Sequence, residues 1–170
     1  MTAPAHGEHG ERDALSSLAY WVAVGFGLGK LPVMPGTWGS LGAIFPGLAL
    51  LHWAGPAGLV AGILAATAAG IWAAGRHQAA TGFHDMGEVV IDEIAGQWIT
   101  LLPLAFLSPT GALWSDATCA FIAFRVFDII KPWPIGLLDR RVKGGTGVMI
   151  DDVAAGIYGG IVLVAAGVLI

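Results

Sequence analysis

Apolar residues run through this chain in long blocks separated by short polar clusters. From Leu41 to Gly75 there is no charged residue, a stretch too long for one straight span and interrupted by His52, Gly55, Pro56 and Gly58. The spacing predicts two helices joined by a tight uncharged turn. A second block, Ile94 to Leu107, ends at Ser108-Pro109-Thr110-Gly111; a third runs from about Ala112 to Ile130 with Asp116 near its start, and the last from Val153 to Ile170. Alone, Ile94 to Leu107 covers about 21 Å as a helix, against roughly 30 Å of bilayer hydrocarbon. A helix starting near Gly87 removes the shortfall and places Asp92 and Glu93 on its first turns. The last helix, started near Gly147, likewise carries Asp151 and Asp152. In both cases the acids would sit at the positive end of a helix dipole.

Five crossings, beginning near Gly39, bring the clusters Lys30 to Ser40, Arg76 to Glu93 and Lys131 to Asp152 to one side; one re-entrant segment would reduce the count to four. The last cluster holds Lys131, Arg140, Arg141 and Lys143, so the excess of cations near helix ends marks this side as cytoplasmic. The opposite side shows only turns around Pro56 and Pro109. The expected fold is all-α: a multi-helix integral membrane bundle of four to five spanning helices with its polar loops on the cytoplasmic side.

Composition supports that pattern. Of 170 residues, 56% are hydrophobic and 12% charged, with a mean hydropathy of +0.75, whereas soluble domains are about a quarter charged. Residues 1–13 read as a disordered polar head and 14–170 as a single membrane-embedded domain. The net charge is −4, and without a Lys/Arg run nucleic-acid partners are excluded. Ala14 to Gly29 follows an acidic leader and lacks an A-x-A site, so it is expected to be retained; its glycines suit an interfacial or re-entrant segment better than a span. Cys119, the single cysteine, excludes an intrachain disulfide and a CxxC metal pattern. Its apolar neighbours read as core.

Three constellations carry possible chemistry. In Gly25 to Ala43, Pro32 and Pro35 interrupt the helix, while Thr37 and Ser40 offer hydroxyls just before an apolar helix. Free N–H groups there, with Lys30 nearby, can hold a phosphate; an ordinary capped linker fits equally. In His84 to Trp98, Asp85, Glu88, Asp92 and Glu93 crowd together, with Glu88 and Asp92 on one helical face. Crowded carboxylates call for a cation, and an oxygen-only set favours Mg²⁺. In the third, Arg125, Asp128 and Lys131 alternate in sign along a helix edge, Pro132 and Pro134 end that helix, and Asp139, Arg140 and Arg141 lead to a glycine-rich loop, Gly144 to Gly147, that opens onto Asp151 and Asp152. Structural ion pairs or an anion site both fit, and charges at the edge of a membrane are functional by default.

These segments resemble the phosphatidylglycerophosphatase A family: GLGKLPVMPGTWGS at Gly27 to Ser40, GEVVIDEIAGQWI at Gly87 to Ile99, and FRVFDIIKPWPIGLLDRR with GGTGVMIDDVAAGIY across Phe124 to Tyr158. The likeness runs from about Gly25 to the C-terminus. It implies a Mg²⁺-dependent phosphoric monoester hydrolase of the bacterial inner membrane, active on the cytoplasmic side. Such an enzyme takes a phospholipid substrate from the bilayer, converting phosphatidylglycerophosphate to phosphatidylglycerol and phosphate. In that reading Asp92, Glu93, Asp151 and Asp152 hold metal, and Asp92, Glu93, Asp128 and Asp152 are catalytic. Lys30, Thr37, Ser40, Arg125, Lys131, Arg140, Lys143 and Gly145 bind phosphate. Water is the expected nucleophile, with Asp128 as the alternative. A small cation- or proton-coupled transporter and a phosphatase for another lipid phosphate are the competing functions. The aspartate-rich signature of CDP-alcohol phosphotransferases, DxxDGxxAR, is absent from the sequence.

Overall fold

The computed structural model describes residues 16–81, 87–107 and 112–169, and every regular element within them is helical. α1 covers 16–23 and leads through a 3-10 segment, Gly25–Lys30, into α2, Pro35–Thr81. α3 is Ile91–Leu101, prolonged by a 3-10 turn at Leu102–Ala105. α4 (Leu113–Ile130), α5 (Ile135–Arg141) and α6 (Gly144–Leu169) complete the chain. The predicted head, residues 1–13, lies outside the described residues, as does the turn around Pro109.

The 47 residues of α2 are two arms meeting at Gly55, whose φ of 65° and ψ of −169° suit a residue without a Cβ. Pro56 then withholds an N–H from the helical ladder. The arms fold back on each other: a Cβ on Gly62 would stand 2.8 Å from Leu50 Cδ1 and 3.2 Å from Trp98 Cζ3, and one on Gly47 would stand 2.7 Å from Trp98 Cδ1. Trp98 of α3 thus fills the angle between the arms, and its indole N–H donates to the Ala43 carbonyl at 2.8 Å. The uncharged turn expected near Pro56 is present.

α3 and α6 approach backbone to backbone. A Cβ on Gly96 would lie 2.6 Å from the Asp152 carbonyl oxygen, and Gly156 abuts the Gly96 carbonyl. In apolar surroundings helices associate by close packing and interhelical hydrogen bonds, because no water is released, so small residues decide how near two axes come. The Thr100 hydroxyl reinforces the contact, with the carbonyls of Gly96 and Gly156 each 3.1 Å away. One core cluster, including Leu48, Leu59, Leu101, Ala120 and Leu163, lies toward the Gly55 end. Another, Phe124, Ile135 and Ala155, ties α5 to α4 and α6 at the opposite end.

The outer surface is apolar. Phe45 is 71% exposed and Trp53 80%, a surface that water solvates poorly. Two helices, Pro35–Ala80 and Gly144–Gly167, are long and apolar enough to cross a membrane by length and composition.

Several expectations change. α3 starts at Ile91 rather than near Gly87, because residues 87–90 are held in a turn: the Val90 N–H donates to the Ala23 carbonyl at 2.9 Å, and the Tyr20 hydroxyl to Glu88 at 3.3 Å. Glu88 and Asp92 therefore do not share a helical face. α6 starts at Gly144, earlier than Gly147, which leaves Asp151 and Asp152 about two turns inside the helix. The dipole argument holds for Asp92 and Glu93, which lie in the first turn of α3, and fails for the later pair, since the effect fades beyond the first turn. Cys119 is exposed, not core; α4 turns Ala117, Ala120 and Phe124 inward instead. The segment from Cys119 to Phe124 is wholly apolar and carries no polar stripe to mark its outer face. α5, read as loop, is helical.

Candidate active site

Asp92 and Glu93 occupy the first turn of α3, and the close α3–α6 approach brings Asp152 to meet them. One oxygen from each of the three carboxylates falls within 4.8 Å of the others. The Glu93 N–H donates to Asp92 Oδ1 at 3.1 Å, while Glu93 Oε2 is buried without a hydrogen-bond partner among the described residues. Three anions so close repel one another unless protons or a cation neutralise them. A set of hard carboxylate oxygens with a buried acceptor left over fits Mg²⁺, which prefers oxygen ligands and retains waters.

Behind this wall lies the first sequence motif. A Cβ on Gly36 would collide with Glu93 Oε1 and stand 3.2 Å from Arg125 Nη1, so a side chain here would displace the Glu93 carboxylate. Ser40, fully buried, donates to the Gly36 carbonyl at 2.8 Å and accepts from Arg125 Nη1 at 3.4 Å. Arg125 also pairs with Asp128 at 2.6 Å, one turn away on α4. Gly36 and Ser40 thus pack against the back of Glu93 and Arg125.

In front is an open cavity of about 410 Å³. Its lining falls into two groups: Asp92, Glu93, Asp128 and Asp152, buried or half-buried, make an acidic wall, and Lys131, Asp139, Arg140 and Lys143, half-exposed or exposed, make a basic one. Lys131 ends α4 in a left-handed conformation, φ 46° and ψ 56°, which costs a side-chain-bearing residue about 1 kcal/mol. The turn aims its ammonium at two carboxylates, Asp139 at 3.0 Å and Asp151 at 2.7 Å. Partial burial would lower the Lys131 pKa, but the hydrogen bonds and charges of Asp151 and Asp139 outweigh it and raise the value above the ordinary lysine range. Arg140 and Lys143 are exposed and make no hydrogen bond or ion pair among the described residues.

Most of the predicted site converges here: Asp92, Glu93, Asp128, Lys131, Arg140, Lys143, Asp151 and Asp152 all line the cavity. Within it, Asp151 is engaged by Lys131 and lies outside the three-carboxylate group. Lys30 stands instead over the rings of Tyr20 and Trp21, 5.1 Å from each centroid. Gly145 sits in the first turn of α6 against the Ile71 carbonyl, where its missing side chain permits helix contact. Thr37, Ser40 and Arg125 are not among the cavity-lining residues. His84 and Asp85 lie outside the described residues. Among the ionisable cavity residues, two had no assigned role in the sequence reading: Asp139, which shares Lys131, and His77, whose Nε2 lies 3.6 Å from Glu88 Oε1. A single histidine near the end of a long, nearly uncharged helix offers no spacing signal by which to find it.

Fold and site together define a helical, membrane-associated protein whose polar end joins an acidic wall to a basic one. The chain belongs to the Phosphatidylglycerophosphatase A family, whose profile matches residues 21–167. It is 39% identical over 157 residues to Phosphatidylglycerophosphatase A of Escherichia coli strain K12, covering 91% of this chain and 83% of that protein. It is 40% identical over 144 residues to the Haemophilus influenzae protein of the same name, covering 85% of each. A Bacteroides thetaiotaomicron protein provisionally named phosphatidylinositol-3-phosphatase is 38% identical over 160 residues, covering 89% of this chain and 94% of its own. No solved structure matches significantly.

Proposed function

We propose that the chain hydrolyses the terminal phosphate monoester of phosphatidylglycerophosphate, releasing phosphatidylglycerol and inorganic phosphate, with Mg²⁺ held by Asp92, Glu93 and Asp152. The observation that carries this reading is the convergence of three carboxylates from two helices on one wall of a cavity whose other wall is basic, in a member of this family. When bound, the metal would neutralise the carboxylates, polarise the phosphoryl oxygens and favour ionisation of water. The remaining work belongs to the chain. Asp128, fixed in place by Arg125 at 2.6 Å, is suited to orient the attacking water, because its carboxylate keeps lone pairs free to accept hydrogen bonds on the cavity side. Water adds to phosphorus, the bond to the glycerol oxygen breaks, and that oxygen leaves with a proton. The N-terminus of α6, with Gly144 and Gly147 at the cavity, adds N–H groups and the positive end of a dipole toward the phosphate.

The same reading assigns the chain to the bacterial inner membrane as a multi-pass protein. The two arms of α2, then α3, α4 and α6, make five passes, with the cavity at the cytoplasmic surface, where Lys131, Arg140, Arg141 and Lys143 gather. α3 with its 3-10 turn reaches only about 25 Å, which suits a helix whose first turn belongs to the site. The Bacteroides relative points to a second substrate class, an inositol lipid monophosphate. It shares with phosphatidylglycerophosphate a lipid phosphodiester and a headgroup monoester.

Phosphate release by purified protein, with and without Mg²⁺ and with Asp92→Asn, tests the proposal. Mg²⁺-dependent release from phosphatidylglycerophosphate by wild type, lost in the variant, is expected. A folded wild type that releases nothing refutes it, and preference for the inositol lipid reassigns the substrate.

A further inference from the structure

Among the described residues, two cations on the cavity wall have no carboxylate partner. Lys131 is engaged by Asp139 and Asp151, and Arg125 by Asp128. Arg140 and Lys143 face the same cavity with no ion pair among the described residues. Their positions are set by the backbone. Arg140 lies in the last turn of α5, a helix anchored by the fully buried Ile135. Lys143 precedes Gly144, whose φ of 74° turns the chain into α6. A cavity of about 410 Å³ is in the range of sites that take a whole small ligand, larger than one phosphate requires. Two uncommitted cations in the same cavity as an acidic wall call for an anion other than the one which that wall would take through metal.

We infer that Arg140 and Lys143 form a subsite for the non-reacting phosphodiester of the substrate, distinct from the carboxylate wall that takes the monoester, and thereby select headgroups carrying both groups. The inference rests on the phosphatase reading above. The basic residues then divide into two sets, in which Lys131 and Arg125 hold the site's own carboxylates in place while Arg140 and Lys143 meet the lipid.

Product inhibition separates the two phosphate positions, because phosphatidylglycerol carries only the diester and inorganic phosphate mimics only the monoester. Arg140→Gln and Lys143→Gln are assayed in micelles of an uncharged detergent. Each should raise KM for phosphatidylglycerophosphate about tenfold, the usual size of a lost charged hydrogen bond, and raise the inhibition constant of phosphatidylglycerol in parallel. The inhibition constant of phosphate should move by less than about twofold, and Arg140→Lys should recover most of the loss. An equal rise for phosphate would assign both cations to the monoester and overturn the inference. So would no change in any constant, or an effect seen only on vesicles containing anionic lipid, which would mean general surface attraction. If wild type releases no phosphate, the phosphatase reading fails first. Micellar phosphatidylglycerol binding, measured by calorimetry, then decides the subsite alone: weaker binding in the variants supports it and equal binding removes it.

Discussion

The two walls of the cavity both carry charged side chains but differ in sign and in burial. On the inner wall Asp152 is buried, Asp92 and Glu93 are half-buried, and the nearest guanidinium, Arg125, is committed to Asp128. On the rim Asp139, Arg140 and Lys143 are exposed or nearly so, and Lys131 is half-exposed. An exposed ion pair contributes about 0–1 kcal/mol, whereas an uncompensated buried charge costs several. The inner wall is therefore unfavourable to folding by itself unless protons or a cation neutralise it. The rim costs little and can vary with the headgroup. Helices set this division: α3 and α6 are locked backbone to backbone through Gly96 and Gly156, while the rim comes from the short α5 and the residues that flank it, Lys131 and Lys143.

The contrast breaks first at the inner wall. Asp152→Asn should reduce Mg²⁺-dependent hydrolysis by about 100-fold or more, at least the loss seen when a metal's supporting shell is changed. Without metal, however, it should raise the melting temperature, because one of three mutually repelling charges is gone. Added Mg²⁺ should then stabilise wild type and not the variant. A variant that melts lower without metal would make these carboxylates ordinary structural partners.

Next in size is Gly36→Ala, which places a methyl against Glu93 and beside Arg125. Overpacking of this kind costs about 1–3 kcal/mol, and displacement of Glu93 should lower activity as well. Chemical denaturation with parallel assays checks both; a neutral effect on each would show that the α2–α3 contact is loose.

The smallest effect belongs to the rim. Lys131→Gln should cost on the order of 1 kcal/mol, as partly exposed pairs do. Because its pKa is raised on folding, the stabilisation is fully present below the ordinary lysine value and is lost as pH climbs through the folded one. The melting-temperature gap between wild type and variant should therefore be the same at about pH 6 and about pH 9, both below the ordinary lysine value. A gap that closes at the higher pH would mean that Lys131 is not held by Asp139 and Asp151.

Much of the fold was legible as pattern. The uncharged run with Gly55-Pro56 at its middle could only turn there, the prolines after Lys131 ended α4, and the acids and bases that line the cavity were recognisable as charge in apolar surroundings. Roles within the site were less legible. Lys30 and Gly145 carry the right chemistry but meet aromatic rings and a neighbouring helix instead of the cavity. Asp151 and Asp152 are adjacent in sequence, yet one meets Lys131 and the other the acids of α3, because neighbours on a helix point about 100° apart. Glu88 was drawn away by Tyr20 of a segment 68 positions earlier.

Residues close together along the chain were enough to specify a helical protein with an apolar exterior, the place where its longest helix breaks, and the polar end where chemistry must occur. Which carboxylates meet, which cations remain uncommitted and which face of α4 is buried emerged only once the helices were packed. Those outcomes depend on how close two backbones come and on which way each helix is turned about its axis, and a helical segment apolar on every side, such as Cys119 to Phe124, does not record that turn in its sequence.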